Sequence, residues 1–386
     1  MFHSFRLIAA LSLPAMLLAS CTKAETGETA AVQVDGTPYV VSEAATFEEP
    51  WAIAFAPGTS VLFVTEKAGT VKMFDTETGI TRTVAGAPEV AYAGQGGLGD
   101  IAFLPAETAA TLGRRTIYLS WAEFGEADTS GAVVGKGTLV CATVESCAIE
   151  GLSVIWRQTP KVTGRGHYSH RIAISPDGKH LFIASGDRQK MQPAQDTTNT
   201  LGTIVRLNLD GTPAAGNPLA AKGEETAQIW SWGHRNILGL DWDAQGRLWE
   251  VEHGPAGGDE LNLVQAGANY GWPIRSNGEH YNGDPIPDHA ADDGFAQPAL
   301  SWNPVIAPGD MLIYTGTMFK GWQGHALMAG LGSQAIVDVA IEGETAREVT
   351  RHTFDKRLRA LAQGPDGAVW VAEDGKDARL LKLTAK

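Results

Sequence analysis

The stretch LRALAQGPDGAVWVAEDGKDARLLKLTAK, residues 358–386, decides the fold of this chain. Apolar and polar residues alternate on both sides of its Pro-Asp-Gly turn, and a third apolar run follows a second turn that contains glycine. Such alternation indicates half-buried strands, and Pro-Asp-Gly is typical of tight turns between antiparallel strands. The stretch therefore predicts three consecutive antiparallel strands.

The same arrangement recurs along the chain, in segments that begin near residues 50, 97, 171, 236 and 311. Successive segments begin about 45 to 75 residues apart, against roughly 40–50 residues for a minimal propeller blade. Six such units predict an all-β, six-bladed β-propeller in which each blade covers its neighbours and the extra length forms inserted loops on the site face. We expect the strand-like segment 38–47 to close the ring with the last blade. A β-sandwich or two small β-domains is the alternative.

Composition narrows the possible partners. The chain has 386 residues, a hydrophobic fraction of 44% and a formal net charge of −14. The hydrophobic fraction is ample for a large core, whereas nucleic-acid binding requires a basic face. We therefore expect no nucleic-acid partner.

The N-terminus has the features of an export signal, with Arg6 before a short apolar run from Leu7 to Ala19. The sequence Leu-Ala-Ser before Cys21 resembles a bacterial lipoprotein signal, which implies lipidation of Cys21 after cleavage. The resulting division is a signal peptide at 1–20, a polar tether at 21–37 and the propeller domain at 38–386. We expect the protein to be lipid-anchored on the periplasmic side of a bacterial membrane, with the outer membrane favoured by Thr22. An ordinary signal peptide with a chance cysteine is the alternative.

Two cysteines remain after export, Cys141 and Cys147, in the sequence LVCATVESCAIEG. An oxidising compartment favours the pairing of two cysteines this close together. We expect a disulfide across a β-hairpin, with two free buried thiols as the alternative.

Several motifs together carry a family resemblance that extends from about residue 50 to the C-terminus. They include PWAIAF, GQGGLGDIAF, HYSHRIAISPDG, WSWGHRNILGL, LWEVEHGPAGGDELNLVQAGANYGWP and RLRALAQGPDG. Their number and order resemble the soluble aldose sugar dehydrogenases of the glucose/sorbosone dehydrogenase family, which use pyrroloquinoline quinone (PQQ). The resemblance implies a six-bladed propeller, in agreement with the repeat count.

A site for PQQ needs cationic groups, because this planar quinone carries three carboxylates and guanidinium groups pair well with carboxylates. Residues two apart on a strand face the same side, so Arg357 and Arg359 can reach one ligand. The resemblance implies that these two arginines contact PQQ together with Arg235, Asn236 and Gln95. Surface arginines without a ligand are the alternative reading of the residues alone.

Two departures from the family pattern affect this site. Gly332 stands in MAGLGSQAI where the family commonly has a lysine or arginine that helps to hold PQQ. Ile237 and Leu238 stand in NILG where the family often has NPQG. The first departure removes a cationic contact unless another residue replaces it.

Sugar oxidation also requires a base. A neutral histidine can accept a hydroxyl proton near neutral pH, and HYSHR offers His167 and His170 just before a predicted strand. The resemblance selects His167 as the catalytic base. We expect His170 to be a structural histidine.

The calcium ion expected beside PQQ requires oxygen ligands. The glycine-rich sequence HGPAGGDE allows backbone carbonyls to approach a cation closely. The resemblance implies that the carbonyls of Gly254 and Pro255 bind this calcium, and that Glu260 and the carbonyl of Tyr270 match a second, structural calcium site. A solvated turn without an ion is the alternative.

The function that follows is PQQ- and calcium-dependent oxidation of an aldose sugar at C1 to the lactone. Electrons would pass to an external acceptor, since the sequence has no CxxCH haem motif. Two other classes are the alternatives: a calcium-dependent propeller lactonase or hydrolase, and a non-catalytic propeller lipoprotein that binds envelope proteins.

Overall fold

A computed structural model describes residues 1–2, 37–143 and 146–386. Cys21 and all but the first two residues of the predicted signal peptide therefore lie outside the described residues. In the first half of the described chain the strands are β1 Tyr39–Phe47, β2 Pro50–Phe55, β3 Val61–Glu66, β4 Thr70–Asp75, β5 Ile80–Val84, β6 Leu98–Phe103, β7 Arg114–Phe124, β8 Thr129–Thr143, β9 Ser146–Arg157, β10 Val162–Thr163, β11 Ser169–Ile174, β12 His180–Ser185 and β13 Thr203–Asn208.

In the second half the strands are β14 Ile229–Trp232, β15 Ile237–Trp242, β16 Leu248–Glu252, β17 Ala256–Gly257, β18 Asp259–Leu263, β19 Gly278–Glu279, β20 Leu300–Trp302, β21 Pro308–Ile313, β22 Ala326–Gly330, β23 Ala335–Glu342, β24 Thr345–Thr353, β25 Leu358–Gln363, β26 Val369–Glu373 and β27 Ala378–Ala385. The helices are short 3₁₀ turns at Pro105–Glu107, Gln192–Gln195, Ala220–Lys222, Glu224–Gln228 and Lys320–Trp322. Among the residues that the structure describes, none of these helices reaches the length and apolar character needed to cross a membrane.

The strands form six antiparallel blades. Blade 1 contains β2–β5, blade 2 contains β6–β10, blade 3 contains β11–β14, blade 4 contains β15, β16, β18 and β20, blade 5 contains β21–β24, and blade 6 contains β25–β27 with β1. The first strands of successive blades contact one another around a complete ring, from β2 through β25 and back to β2. The prediction of an all-β, six-bladed propeller is therefore confirmed.

The ring closes by pairing the two ends of the described domain. Strand β1 is antiparallel to β27, with Tyr39 opposite Ala385 and Phe47 opposite Ala378. Blade 6 is thus built from both chain ends, and β27 has a neighbour on each side. The hydrogen bonds between β1 and β27 therefore hold the ring closed, because they tie the N-terminal end of the described domain to its last strand.

The core is divided among the blade interfaces. Each pair of adjacent blades buries one hydrophobic cluster between its facing sheets. Between blades 1 and 2, for example, the rings of Phe63 and Phe103 meet edge to face with their centroids 5.2 Å apart. Alternating apolar residues therefore fill both faces of each blade, as the repeat pattern requires.

Buried aspartates also join neighbouring inner strands. In three blades an aspartate accepts the N–H of the residue that follows it and, with its second carboxylate oxygen, an N–H of the next blade. The cross-blade bonds run to Asp100 from Ile172 (2.8 Å), to Asp241 from Ile313 (2.8 Å) and to Asp310 from Leu361 (3.0 Å). These bonds fix the inner strands around the axis and hence the ends that form the site.

The β8–β9 hairpin contains the two cysteines. Cys141 and Cys147 are opposite each other in the strand register, and a disulfide with an S–S distance of 2.02 Å joins them. The hairpin end lies about 13 residues along β8 from Ser130, whose hydroxyl contacts the loop that carries His167. The disulfide is therefore far from the site.

Candidate active site

A cavity of about 180 Å³ lies where the inner strands begin, at the axis of the ring. Of the residues predicted from the sequence, Gln95, Asn236, Arg357 and Arg359 line it. Strands from blades 1, 3, 4 and 6 or the loops beside them contribute to the lining, so the cavity exists only because the ring closes.

A second cavity of about 180 Å³ is lined by His167, Arg235 and Pro255 together with the aromatic residues Trp272 and Tyr281. The two cavities adjoin at His167, whose backbone N–H donates to Gln95 Oε1 at 2.6 Å. The structure therefore brings the predicted base, the predicted cofactor residues and one predicted metal carbonyl to one region.

His167 is held by a buried carboxylate that sequence reasoning missed. His167 Nδ1 lies 2.6 Å from Asp187 Oδ1, and the indole N–H of Trp272 donates to Asp187 Oδ2 at 2.8 Å. Asp187 is fully buried and also accepts the backbone N–H groups of Gln189 and Met191. This arrangement favours the tautomer with the proton on Nδ1, which leaves Nε2 free to accept a proton.

The electrostatics also favour the neutral form of the His167 imidazole. Burial lowers the pKa of His167 below its usual 6.5; Asp187 opposes this shift, while the nearby Arg235 and Arg188 reinforce it. Although burial alone would raise the pKa of Asp187, its bonds from His167, Trp272 and Gln189 lower it overall. At neutral pH the pair is therefore a neutral imidazole beside a carboxylate.

Backbone strain marks the same region. His167, Ser169 and His170 have φ angles of 49°, 56° and 55°, in the left-handed region that residues other than glycine rarely occupy. A second such run includes Arg188 and Met191, with φ angles of 56° and 61°. Strained residues of this kind cluster at functional sites, where the surrounding structure holds them in place.

Arg188 is one device that holds the first of these loops. Its buried guanidinium donates to the carbonyls of Gly166 (2.8 Å), Gly164 (2.7 Å) and Ser130, and it lies 3.7 Å from the centroid of the Tyr168 ring. Because five donors in a fixed plane can bind several carbonyls at once, arginine suits this role. Arg188 belongs to no recognisable motif, so sequence reasoning had no signal with which to find it.

The cationic wall of the axial cavity consists of Arg357 and Arg359. Their Nε groups donate to the two oxygens of Asp374, at 2.9 Å and 2.8 Å. Within the described part of the chain, Nε is the only nitrogen of Arg357 with a hydrogen-bond partner, and its side chain is 52% exposed. One carboxylate thus orients two cations, while the terminal nitrogens of Arg357 remain available to an anionic ligand.

Arg235 contacts both the start of the glycine-rich loop and the aromatic wall of the second cavity. Its Nη1 donates to the carbonyl of His253 at 3.0 Å and its Nη2 to the hydroxyl of Tyr281 at 3.1 Å. Its Nε is buried and has no hydrogen-bond partner among the described residues. An unpaired buried donor of this kind is expected where a ligand supplies the acceptor.

The glycine-rich loop after β16 can offer backbone oxygens to a cation. A Cβ atom at Gly254 would lie 2.2 Å from the carbonyl oxygen of Gly257, so no larger residue fits there. The N–H of Gly254 donates to Asp259 Oδ1 at 2.9 Å, and no described residue donates to the carbonyls of Gly254 or Pro255. Carbonyls without protein partners suit calcium, which takes oxygen ligands.

Glu260 and Tyr270 border a small pocket of about 10 Å³, beside Glu252 and Gly254. This volume matches a single water molecule or ion. Glu260 Oε1 also lies 3.4 Å from Nε2 of His289. The two residues predicted for a second calcium site are therefore neighbours, on a pocket of suitable size.

The structure shows the surroundings of the residues that depart from the family pattern. His170 is buried, its Nδ1 lies 2.9 Å from Ser120 Oγ and burial lowers its pKa to about 3, so it is a neutral packing residue at the cavity wall. Gly332 follows Leu331, which lines the axial cavity, and contributes no cation. Lys67 lines this cavity too, with Nζ 3.2 Å from the carbonyl oxygen of Gly94.

Fold and site together define a class: a six-bladed propeller with paired arginines on its axial cavity, and a histidine–aspartate pair and a carbonyl-rich loop on the cavity beside it. Comparison with known proteins gives the family. The model for the glucose/sorbosone dehydrogenases matches residues 47–382. The aldose sugar dehydrogenase YliI of Escherichia coli (strain K12) is 32% identical over 88% of this chain and 91% of its own length.

Solved structures of similar proteins support the same family. A crystal structure of a glucose dehydrogenase has a TM-score of 0.83 and 35% identity, covering 90% of this chain and 99% of that one. The PQQ-bound aldose sugar dehydrogenase of Streptomyces coelicolor has a TM-score of 0.70 and 26% identity, covering 90% and 98%. This chain belongs to the glucose/sorbosone dehydrogenase family. The predicted resemblance and the enzyme class, a sugar dehydrogenase, are thereby confirmed.

Proposed function

We propose that the protein is a PQQ- and calcium-dependent dehydrogenase that oxidises an aldose sugar at C1 to the lactone and passes electrons to an external acceptor. The observation that carries this proposal is the His167–Asp187 pair beside a cavity walled by Arg357 and Arg359. Family membership supports the dehydrogenase over a lactonase or a non-catalytic binding propeller.

The residues fit PQQ in several respects. Arg235 has an unpaired buried Nε, Arg357 has free terminal nitrogens, and Gln95 and Asn236 line the same cavity. When bound, PQQ would accept the hydride from C1 of the sugar. Calcium held by the carbonyls of Gly254 and Pro255 would bind a PQQ carboxylate and polarise the quinone.

The remaining chemistry belongs to the protein. His167 Nε2 would accept the proton of the sugar C1 hydroxyl while Asp187 stabilises the resulting imidazolium. The aromatic residues Trp272 and Tyr281, which line the cavity beside His167, would exclude water and provide apolar surface for a sugar ring.

Lys67 is our candidate for the cation that Gly332 lacks. Its Nζ bonds only a carbonyl, and no ion pair involves it within the described chain, so its charge is available to a cofactor carboxylate. The residues that line the cavity with Lys67 include no carboxylate that would compete for its charge, which supports this role.

For localisation, we propose a lipid anchor on Cys21 that holds the enzyme on the periplasmic side of the membrane, in the outer membrane by preference. The support is the sequence LASC that ends in Cys21, together with Thr22 after it, which favours the outer membrane. Replacement of Cys21 by Ser should release the protein from the membrane fraction, and an unchanged distribution would refute the anchor.

The function is tested with purified apo-protein to which PQQ and calcium are added separately and together. We expect a shift in the PQQ absorption spectrum on binding, and dye reduction with an aldose only when both are present. A PQQ spectrum unchanged at micromolar protein would refute the cofactor assignment. PQQ binding without dye reduction across a panel of aldoses would instead refute the substrate class.

A further inference from the structure

A second buried cluster lies beneath the site and takes no part in the proposed reaction. It consists of His234, Glu250 and Glu252, none of which is more than 4% exposed. Glu250 and Glu252 are two residues apart on β16 and therefore face the same side of the sheet. One potential ligand atom from each of the three residues lies within 4.8 Å of the other two.

The hydrogen bonds inside this cluster are incomplete. His234 Nε2 lies 2.9 Å from Ser231 Oγ, which leaves Nδ1 to face the carboxylates. Nδ1 of His234 and Oε2 of Glu250 are buried and have no hydrogen-bond partner among the described residues. An imidazole nitrogen and a neighbouring carboxylate oxygen are rarely both left without a hydrogen bond in a packed interior.

The distances from His234 Nδ1 to the two carboxylates show why this nitrogen lacks a hydrogen bond. Nδ1 of His234 lies 3.5 Å from Glu252 Oε1 and 3.6 Å from Glu250 Oε1, beyond the usual range of an N–H···O hydrogen bond. Two ligands at about 2.1 Å from one ion and at a tetrahedral angle are about 3.4 Å apart. The spacing therefore matches ligands that share a cation rather than a proton.

We propose that His234, Glu250 and Glu252 bind a divalent transition-metal ion, distinct from calcium at the carbonyl-rich loop. Two carboxylates need a positive charge in a site closed to solvent, and an imidazole nitrogen is a ligand that zinc or manganese accepts and calcium rarely takes. The Asn262 amide, which donates to Glu250 Oε1 at 2.7 Å, would orient that carboxylate from outside the ion.

The ion would have a structural role in the cofactor site. Glu252 Oε2 accepts the backbone N–H groups of Arg235 (2.6 Å) and Asn236 (3.1 Å), while Glu252 Oε1 faces His234. His234 itself directly precedes Arg235 in the chain. A metal held by both residues would therefore fix the backbone that positions the proposed cofactor-binding side chains.

The test uses chelator-treated, full-length protein without PQQ. Co²⁺ is titrated in, and its visible d–d absorption and its stoichiometry by mass spectrometry are measured. We expect one equivalent bound at micromolar concentration, with competition by Zn²⁺. Glu250→Gln should weaken Co²⁺ binding at least tenfold, whereas the control Asp338→Asn, which changes a histidine-paired carboxylate on β23 in blade 5, should retain it.

Three results would overturn the proposal: folded wild-type protein that binds no Co²⁺ or Zn²⁺, equal binding by wild type and Glu250→Gln, or an equal loss of binding in the control Asp338→Asn. If Glu250→Gln does not fold, the Co²⁺ and Zn²⁺ titrations of the wild type still test the proposal. The Mn²⁺-loaded protein should show the electron spin echo modulation of a bound histidine ¹⁴N, and its absence would also refute the site. Because PQQ is absent throughout, these outcomes are independent of the proposed dehydrogenase activity.

Discussion

At the residue scale, the chemistry depends on how a buried carboxylate holds one imidazole. Asp187 bonds Nδ1 of His167 and is itself held by the Trp272 indole and two backbone N–H groups. Since these four contacts come from blade 3 and from the distant loop that follows β18, the orientation of His167 is a tertiary property. The sequence indicated the base but not its partner.

Replacement of His167 by Ala should lower kcat by about 10²–10⁴-fold, the usual contribution of general-base catalysis, while PQQ still binds. Steady-state kinetics and a PQQ titration measure the two effects. His170→Ala is the neighbouring comparison, and it should change stability more than the chemical step. Turnover by His167→Ala at the wild-type rate would remove this residue from its role.

The pH dependence of kcat/KM tests the pairing of His167 with Asp187. Because the pKa of His167 lies below 6.5, the neutral base persists as pH falls, and the acid limb of kcat/KM should lie below pH 6.5. Asp187 raises that pKa, so Asp187→Asn should shift the acid limb to still lower pH while it reduces kcat. A limb at or above pH 6.5 in wild type, or no shift in the variant, would contradict the assignment.

Lys67 provides a test of the cation that replaces the missing family residue at Gly332. Lys67→Ala should weaken PQQ binding by about fivefold or less, since a partly exposed ion pair contributes at most about 1 kcal/mol. Fluorescence titration measures the affinity, and Lys67→Arg should preserve most of it. Lys72→Ala, on the outer side of the same blade, is the control; an equal effect there would show that only net charge matters.

At the scale of the elements, the β8–β9 hairpin shows how a local pattern can be predicted well. Two alternating runs with a cysteine in each were enough to indicate a hairpin with facing cysteines, because strand register and the short separation are local properties. The disulfide in the structure closes a loop of only six residues in sequence separation.

Replacing both Cys141 and Cys147 by Ser should reduce the free energy of unfolding by about 2 kcal/mol, as expected for a loop this short. Denaturant unfolding with and without a reductant measures the difference. Activity should not change, because the hairpin end is at the opposite end of β8 from the site. A loss of activity in the folded variant would show that the hairpin supports the site.

At the scale of the whole molecule, the ring depends on β1. Tyr39, Val41 and Phe47 bury their side chains in the clusters of blade 6 and its neighbours. A chain that begins at residue 37 should unfold with the stability of the longer form, whereas one that begins at residue 48 should lose about 5 kcal/mol, from some 1.5–3 kcal/mol for each large buried side chain. Thermal unfolding of both truncated chains measures this, and equal stability would show that β1 is dispensable.

The sequence by itself determined the repeating strands, the six-fold count, the closing role of segment 38–47 and the glycine-rich turns. These features follow from alternation and from turn-forming residues, which act over a few neighbours in the chain. The family motifs added the residue types of the site. The division into signal peptide, tether and domain remains a prediction.

Only the tertiary structure decided which of those residues meet. The pairing of His167 with Asp187, the shared carboxylate of Arg357 and Arg359, the nearness of Lys67 to the cavity and the His234–Glu250–Glu252 cluster all join segments from different blades or loops. Their distances depend on closure of the ring and on how each blade packs against the next. No local pattern carries that information, because each contact joins different strands or loops whose approach is set by the packing of the blades.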